Sequence, residues 1–533
     1  MKELLVEAYK KRSNKINKIE KLKQKRLAKE AINNLKEYAK RGYDSILKED
    51  KEFFLKSFGI FDKEKTNGKN SFMLRIRIPG GRLNHIQAKT IGEIAKKYGK
   101  DYIDLTTRAQ MELRYLKIED LPTILEKLES VGITTYQTGV DNFRNIVTNA
   151  LDGISKDSVI ETYSLIQKLQ SIFLKKSEWI SVLPRKFNTA IVGSFVNDCN
   201  VYGHDCAFLL SKKNNEYGFN IFLGGKVGIQ AKDANLFVKI DEVEEFYYAL
   251  ISLYKQYGFR DNRNKNRLYF LIEAVGLENF VEAIKEEANK SFDTKGELLV
   301  KKEHIIPKNS EIELKNSLYA IHFTIPSGIF SGSDLLEVSE IAKKYGGDIR
   351  LSVEQNFYIC NIKKEHIKYI KNSNIYKKYE DYNNIYFKNM IACAGIDTCA
   401  FAVIKNKPDA IELSSYLKDN LLIEDGKVRL YWSACPKGCG IHGVGDIGFE
   451  GCKIKDENGV TDGVHIFLGG KASFEAKEAR VLLKSVKLNE AKYIVANLLN
   501  YYKQHKKDNE SFESFDSRVF SKMSNEEILK AIK

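Results

Sequence analysis

The chain of 533 residues has only eight cysteines, too few and too scattered for a disulfide scaffold. It has no run of about 18 apolar residues, so no ordinary membrane-spanning helix is expected. Its first residues, MKELLVEAYKKR, lack an apolar core followed by a small-residue cleavage site, which predicts a cytoplasmic rather than a secreted protein. No flavin or nicotinamide domain is visible. The stretch Gly440-Ile441-His442-Gly443-Val444-Gly445 is glycine-rich, but it sits inside a cysteine motif and has the wrong spacing for a nucleotide loop. Disorder is excluded, because 43% of the residues are hydrophobic. At about 150 residues per domain, the length predicts three to four domains.

Positive charge is abundant. Lys and Arg number 86 against 71 Asp and Glu, a net +15 that favours an acidic partner or an anionic ligand. Nucleic acid is the first alternative. Residues 1–41 hold 14 Lys and Arg against 5 Glu. With apolar positions at Ile16, Ile19, Leu22, Leu27, Ala31 and Leu35, they read as a helix with a basic outer face, packed on a larger body.

The chain repeats itself. Phe72–Tyr115 (FMLRIRIPGG…IGEIAKKYG…LRY) is echoed by Tyr319–Cys360 (YAIHFTIPSG…SEIAKKYGG…YIC), and FNIFLGGK at 219–226 by VHIFLGGK at 464–471. The two echoes lie at almost the same separation, far too long for a solenoid. They predict a duplicated two-part unit with a pseudo-twofold axis. Each copy reads locally as an alternating strand, a Pro-Gly or Pro-Ser turn, a helix ending at glycine, and a second strand, IDLTTRAQMELRYL in the first copy. The fold class is α+β, in two similar halves joined near Lys301–Lys315.

Four cysteines form two tight pairs, Cys393 with Cys399 and Cys435 with Cys439. Four thiolates on two short loops is the ligand count of a [4Fe–4S] cluster. Structural zinc usually takes a two-residue spacing within each pair, which is absent. Zinc and unrelated buried thiols remain the alternatives. Small residues around the pairs (Ala392, Ala394, Gly395, Ala434, Gly438, Gly440) let backbone approach a bulky group and free amides to bond sulfur. Cys199 and Cys206, with His204 between them, allow a second metal site; the plainer reading is two ordinary cysteines. Cys360 and Cys452 read as buried thiols.

The cysteine pairs, followed by Asp446-Ile447-Gly448-Phe449, together with LPRKF at 183–187 and the LGG echoes, resemble the nitrite/sulfite reductase family from about residue 68 onward. The resemblance implies two ferredoxin-like half-domains (68–135 and 301–384) and two larger α/β domains that bind sirohaem and an iron–sulfur cluster (136–300 and 385–533). Residues 1–67 are left as a basic helical extension. It implies one [4Fe–4S] cluster on Cys393, Cys399, Cys435 and Cys439, with Cys439 also ligating the sirohaem iron. Arg75, Arg144 and Lys186 match the family's substrate-side cations. Arg77, Arg108, Gln110, Arg185, Gly224 and Gly225 match sirohaem-contacting positions, and Lys437, where many members have Asn, is placed to bond a haem carboxylate. Asn188 stands where sulfite-reducing members usually have a second Lys, so the resemblance implies reduction of nitrite to ammonia, with sulfite to sulfide as the alternative. Other departures are Ala109 at the position of a family Gln and Arg114 where many members have His. In the second copy His322, Thr324 and Glu354 stand in place of Arg75, Arg77 and Arg108, so the cationic set belongs to the first copy alone.

With no flavin or nicotinamide domain, electrons must come from another protein. Ferredoxin or another small acidic donor suits the positive charge, with a separate reductase subunit as runner-up. A monomer is expected, with a small anionic substrate and neither membrane nor nucleic acid as partner.

Overall fold

A computed structural model describes residues 1–13, 15–457, 459–473 and 476–533. Strand Phe72–Ile76 pairs antiparallel with Met111–Leu116, which pairs with Tyr102–Leu105. The fifth strand of that sheet, Ile329–Ser331, comes from the second copy and pairs with Tyr102–Asp104. The loan is returned: Arg82–Leu83 of the first copy pairs with Ile349–Arg350 and completes the sheet built from Glu311–Glu313, Tyr319–Phe323, Phe357–Ile362 and Ile349–Leu351.

The two half-domains are thus interlocked, and their buried residues form one continuous hydrophobic cluster. Helices His85–Tyr98 and Gly332–Tyr345 pack on each other across the pseudo-twofold. Asn84 caps the first through a capping box with Gln87, and Ser331 caps the second. The helices touch at glycines: a Cβ on Gly332 would lie 2.6 Å from the Gly92 carbonyl oxygen, and one on Gly92 would lie 2.9 Å from that of Gly332.

Each larger domain is a mixed sheet. In the first, Thr189–Val192 runs parallel to Cys206–Lys213, which continues antiparallel into Glu216–Leu223 and Lys232–Lys239. In the second, Met390–Ala392, Leu430–Ser433 and Ile447–Asp456 are parallel, followed by antiparallel Gly459–Leu468 and Arg480–Lys487. The duplication reaches single hydrogen bonds. The Asn188 N–H donates to Asp205 at 2.8 Å, and the Arg429 N–H donates to Asp446 at 2.6 Å, at the same joint of each sheet.

Two local expectations are corrected. IDLTTRAQMELRYL is a hairpin of two strands, Tyr102–Leu105 and Met111–Leu116. It breaks because the Thr106 hydroxyl accepts from the Arg108 and Gln110 N–H groups while Ala109 takes φ 49°, a side-chain-closed turn. Arg108 therefore sits at a hairpin tip and not on a strand face with Gln110 and Glu112. Residues 1–41 are not one helix but, among the described residues, four: Lys2–Arg12, Lys18–Lys25, Ala28–Asn33 and Leu35–Arg41. Leu27, expected on the apolar stripe, is 67% exposed at a break. Nor is the extension separate, because Ile60–Asp62 is the edge strand of the first half-domain sheet. Its basic face is partly turned inward: Arg12 pairs with Asp261, Arg26 with Asp50, and Lys23 with both Glu20 and Asp141.

Candidate active site

Asp141 organises the substrate-side loops. Its fully buried carboxylate accepts two 2.7 Å hydrogen bonds from Arg263, pairs with Lys23 at 2.8 Å, and lies 3.7 Å from Arg185. Burial alone would raise its pKa, but Lys23 and Arg263 outweigh that and hold it down at about 2. Three residues on, Arg144 donates to the carbonyls of Thr138 and Val140, and its buried Nε has no partner. Burial, then the charges of Arg75, Arg108 and Arg185, push Arg144 well below the usual arginine range.

Lys186 is the extreme case. Its ammonium makes no hydrogen bond or ion pair to the described residues, and burial followed by Arg267, Arg108 and Arg144 holds it well below the usual lysine range. Among the strongest influences on it, Cys439 is the one that favours the charged form. Arg108 is likewise pulled down, to about 10, by burial and then by Arg267 and Arg75, and it too feels Cys439. Its Nη1 is pinned by the side-chain oxygen of Asn188. The Asn188 amide nitrogen donates to no described residue.

Arg75 pairs with Glu112 at 2.7 Å and donates to the Thr138 carbonyl at 3.1 Å. Arg185, half-buried, donates to the Arg263 carbonyl. Arg267, which no local sequence signal singled out, grips Asp205 with two bonds of 2.9 and 2.7 Å and faces Lys186. Five arginines and a lysine thus converge with too few carboxylates among them. Such a cluster of cations favours an anion.

Two expected cofactor contacts are corrected. Arg77 is 2% exposed, and its five N–H groups are all taken, by the carbonyls of Tyr136, Gln137, Phe143 and Arg144 and by the side chain of Gln170. It has no donor left for a ligand and instead holds the 136–144 loop in place. Gln110 is also turned inward and donates to the Ile76 carbonyl at 2.7 Å. Gly225 is demanded by space, since a Cβ there would come within 2.3 Å of the Tyr202 carbonyl oxygen; Gly224 takes φ 85°.

Among the cysteines, Cys439 is within electrostatic reach of Lys186 and Arg108. Burial raises the Cys393 thiol to about 12, and Cys439, Cys399 and Cys435 add to the shift, so the four share one place. The Ala434 N–H donates to the Cys393 sulfur at 3.3 Å. The loops are as tight as the small residues imply: a Cβ on Gly395 would lie 1.7 Å from the Lys405 carbonyl oxygen, and one on Gly440 would lie 1.8 Å from that of Trp432. Cys439 is exposed toward the cations, and Lys437 lies 2.9 Å from the centroid of the Phe401 ring. Among the described residues no three Cys, His, Asp or Glu side chains close around a single ion. Cys199 and Cys206 are buried thiols whose pKa values burial raises; the intervening His204 ring lies against the carbonyls of Asn200 and Val201.

The second copy is built otherwise. Glu354, in the place of Arg108, accepts from Tyr431 at 2.9 Å. It lies near Asp198, whose carboxyl burial and then Glu354 raise to about 7. The linker runs along this region, its His304 carbonyl accepting from Lys427 and its Pro307 carbonyl from Lys388. Buried acids thus stand in the second copy where the first has cations.

The nitrite and sulphite reductase 4Fe–4S domain matches residues 139–292 and 387–518, and the nitrite/sulfite reductase ferredoxin-like half domain matches 63–131 and 312–373. The chain belongs to the nitrite and sulphite reductase family of oxidoreductases. Within it, a ferredoxin–nitrite reductase of Leptolyngbya laminosa is 31% identical over 505 residues, 91% of this chain and 96% of that one. The chloroplastic enzyme of Spinacia oleracea is 31% identical over 473 residues, 85% and 78% of the two chains. The Mycobacterium tuberculosis NirA structure superposes with a TM-score of 0.86 over 97% of this chain and 98% of that one, at 24% identity, which shows the same fold.

Proposed function

We propose that the protein catalyses the six-electron reduction of nitrite to ammonia at a sirohaem coupled to a [4Fe–4S] cluster, with electrons from a ferredoxin. The observation that supports the reading is the surplus of positive charge around Lys186, within electrostatic reach of Cys439. A carboxylate-rich tetrapyrrole and a small anion both suit such a surplus.

Arg108, Arg185 and Arg267 have the position and charge to meet the macrocycle's carboxylates. Cys393, Cys399, Cys435 and Cys439 have the number and softness to hold the cluster, with Cys439 shared with the haem iron. Lys437, held against the Phe401 ring on the cluster side, is the more distant candidate for a carboxylate contact. When bound, these groups supply single electrons to a coordinated anion. The chain's own work is binding and protonation. Arg75 and Arg144 orient the substrate oxygens, with Arg75 aimed by Glu112. Lys186 Nζ, destabilised as a cation by its neighbours, readily gives up a proton to an oxygen leaving the substrate. Asn188 holds Arg108 through its oxygen and keeps an amide donor for the substrate. A second ammonium in its place would suit a dianion such as sulfite, whereas a single amide suits a monoanion. The relatives named as ferredoxin–nitrite reductases support the same choice.

The test is purified enzyme assayed on nitrite and on sulfite with one donor, together with extraction of the tetrapyrrole and iron analysis. Faster turnover of nitrite and an extractable isobacteriochlorin are expected. Sulfite preferred by a wide margin would overturn the substrate, and a colourless, iron-free holo preparation would overturn the whole reading.

A further inference from the structure

Asn406 adopts φ 65° and ψ −66°, a conformation strained for any residue but glycine. Its side chain is buried beside the first cysteine of the cluster motif. The amide nitrogen lies 2.7 Å from the Cys393 carbonyl oxygen, 3.4 Å from that of Trp432, and 3.5 Å from the Cys393 sulfur. The amide oxygen is buried without a partner. The orientation is therefore fixed, since a flipped amide would turn its oxygen onto two carbonyls. A strained backbone and an orphaned acceptor are both tolerated at one residue whose donor end faces a sulfur.

The strain is held from several sides. The Asn406 N–H donates to Asp409 at 2.6 Å, Ser327 donates to the Lys407 carbonyl, and the Lys407 ammonium pairs with Asp104 at 2.6 Å. Asp104 also pairs with Arg114, Arg114 with Glu112 at 3.1 Å, and Glu112 with Arg75 at 2.7 Å. A buried row of alternating charges thus joins the substrate-side Arg75 to the residue next to Asn406.

We propose that Asn406 is a positioning residue for the cluster: its amide clamps Cys393 and directs an N–H toward the Cys393 sulfur, which raises the cluster's reduction potential. The charge row holds this clamp in one rigid frame with Arg75. The inference rests on the assignment of these cysteines to a cluster. The physical ground is that hydrogen bonds to cluster sulfurs stabilise the more negative, reduced state.

The experiment is a redox titration of the cluster by electron paramagnetic resonance in the holoenzyme, with iron and sulfide counted per chain. Asn406→Gly removes the amide and suits the backbone, so a folded, fully loaded protein is expected. Its reduction equilibrium should be about tenfold less favourable, about 59 mV for one electron. Asn406→Asp keeps the shape but presents an anionic oxygen, and should shift the potential further in the same direction. A wild-type potential in either fully loaded variant overturns the proposal. So does failure of both to take up iron in a chain that melts at the wild-type temperature, because a tuning residue is dispensable for assembly. If the wild-type protein itself holds no cluster, the proposed function fails instead.

Discussion

At the scale of single residues, the site is a balance between cations that repel and the anions they await. Lys186 shows it most plainly, since each arginine around it works against its charge. Lys186→Met removes the ammonium while keeping the length of the side chain. The expected result is a loss of nitrite turnover of about 10²–10³-fold, the usual scale for one electrostatic donor, with the visible spectrum retained; steady-state kinetics and absorbance check it. Wild-type turnover in the variant would remove Lys186 from the proton path. This residue was legible in LPRKF, and so were the cysteine pairs. Arg77 departs from the contact its matched position implied, because a match of sequence does not reveal that four carbonyls and a glutamine take all its donors. Arg267 gave no local signal; its meaning comes from Asp205, far away in the sequence.

At the scale of elements, the duplication was readable because its motifs recur at nearly one separation. The exchange of strands Arg82–Leu83 and Ile329–Ser331 was not, since it depends on which sheet edge is nearest in space. Nor was the hairpin at Thr106–Gln110, whose turn is closed by a threonine hydroxyl within a run that looks continuous. The crossing of the two central helices at Gly92 and Gly332 yields a prediction. Gly332→Val forces a side chain against the Gly92 carbonyl and the Ala95 side chain. It should cost about 1–3 kcal/mol, the range for overpacking, read as a lowered denaturant midpoint; an unchanged midpoint would show that the helices slide apart freely. Asp141 ties the N-terminal extension to the Arg144 and Arg185 loops. Asp141→Asn takes from Arg263 its paired carboxylate and leaves Lys23 with Glu20 alone, and should cost about 3–5 kcal/mol at neutral pH, as broken buried pairs do. The sign with pH follows from the depressed carboxyl. Its contribution is complete above the unfolded value of about 3.8–3.9 and is lost as the pH falls toward about 2. Urea unfolding of both proteins should therefore show their difference narrowing across that window, and a constant gap would contradict the role given to the charge.

At the scale of the molecule, a net charge of +15 gives the chain a positive field that would draw in the acidic electron carrier proposed above. Turnover with such a carrier should fall as salt rises, because the Debye length shrinks from about 10 Å at 0.1 M toward about 3 Å at 1 M. Turnover with a small dye should change much less. Equal salt sensitivity with both donors would count against docking by charge. No helix of the described residues is long and apolar enough to cross a membrane. Lys186 and Cys439 come from opposite halves of the chain, so the site is complete only when both halves have folded together.

The exchanged strands also set an order of events during synthesis. The sheet that carries Arg75 lacks its last strand until Ile329–Ser331 has left the ribosome, well after every other residue of that sheet. A nascent chain stalled before that point presents an unclosed edge and still lacks Cys393, Cys399, Cys435 and Cys439. Splitting the gene between the halves would leave two fragments that each hold the other's missing piece.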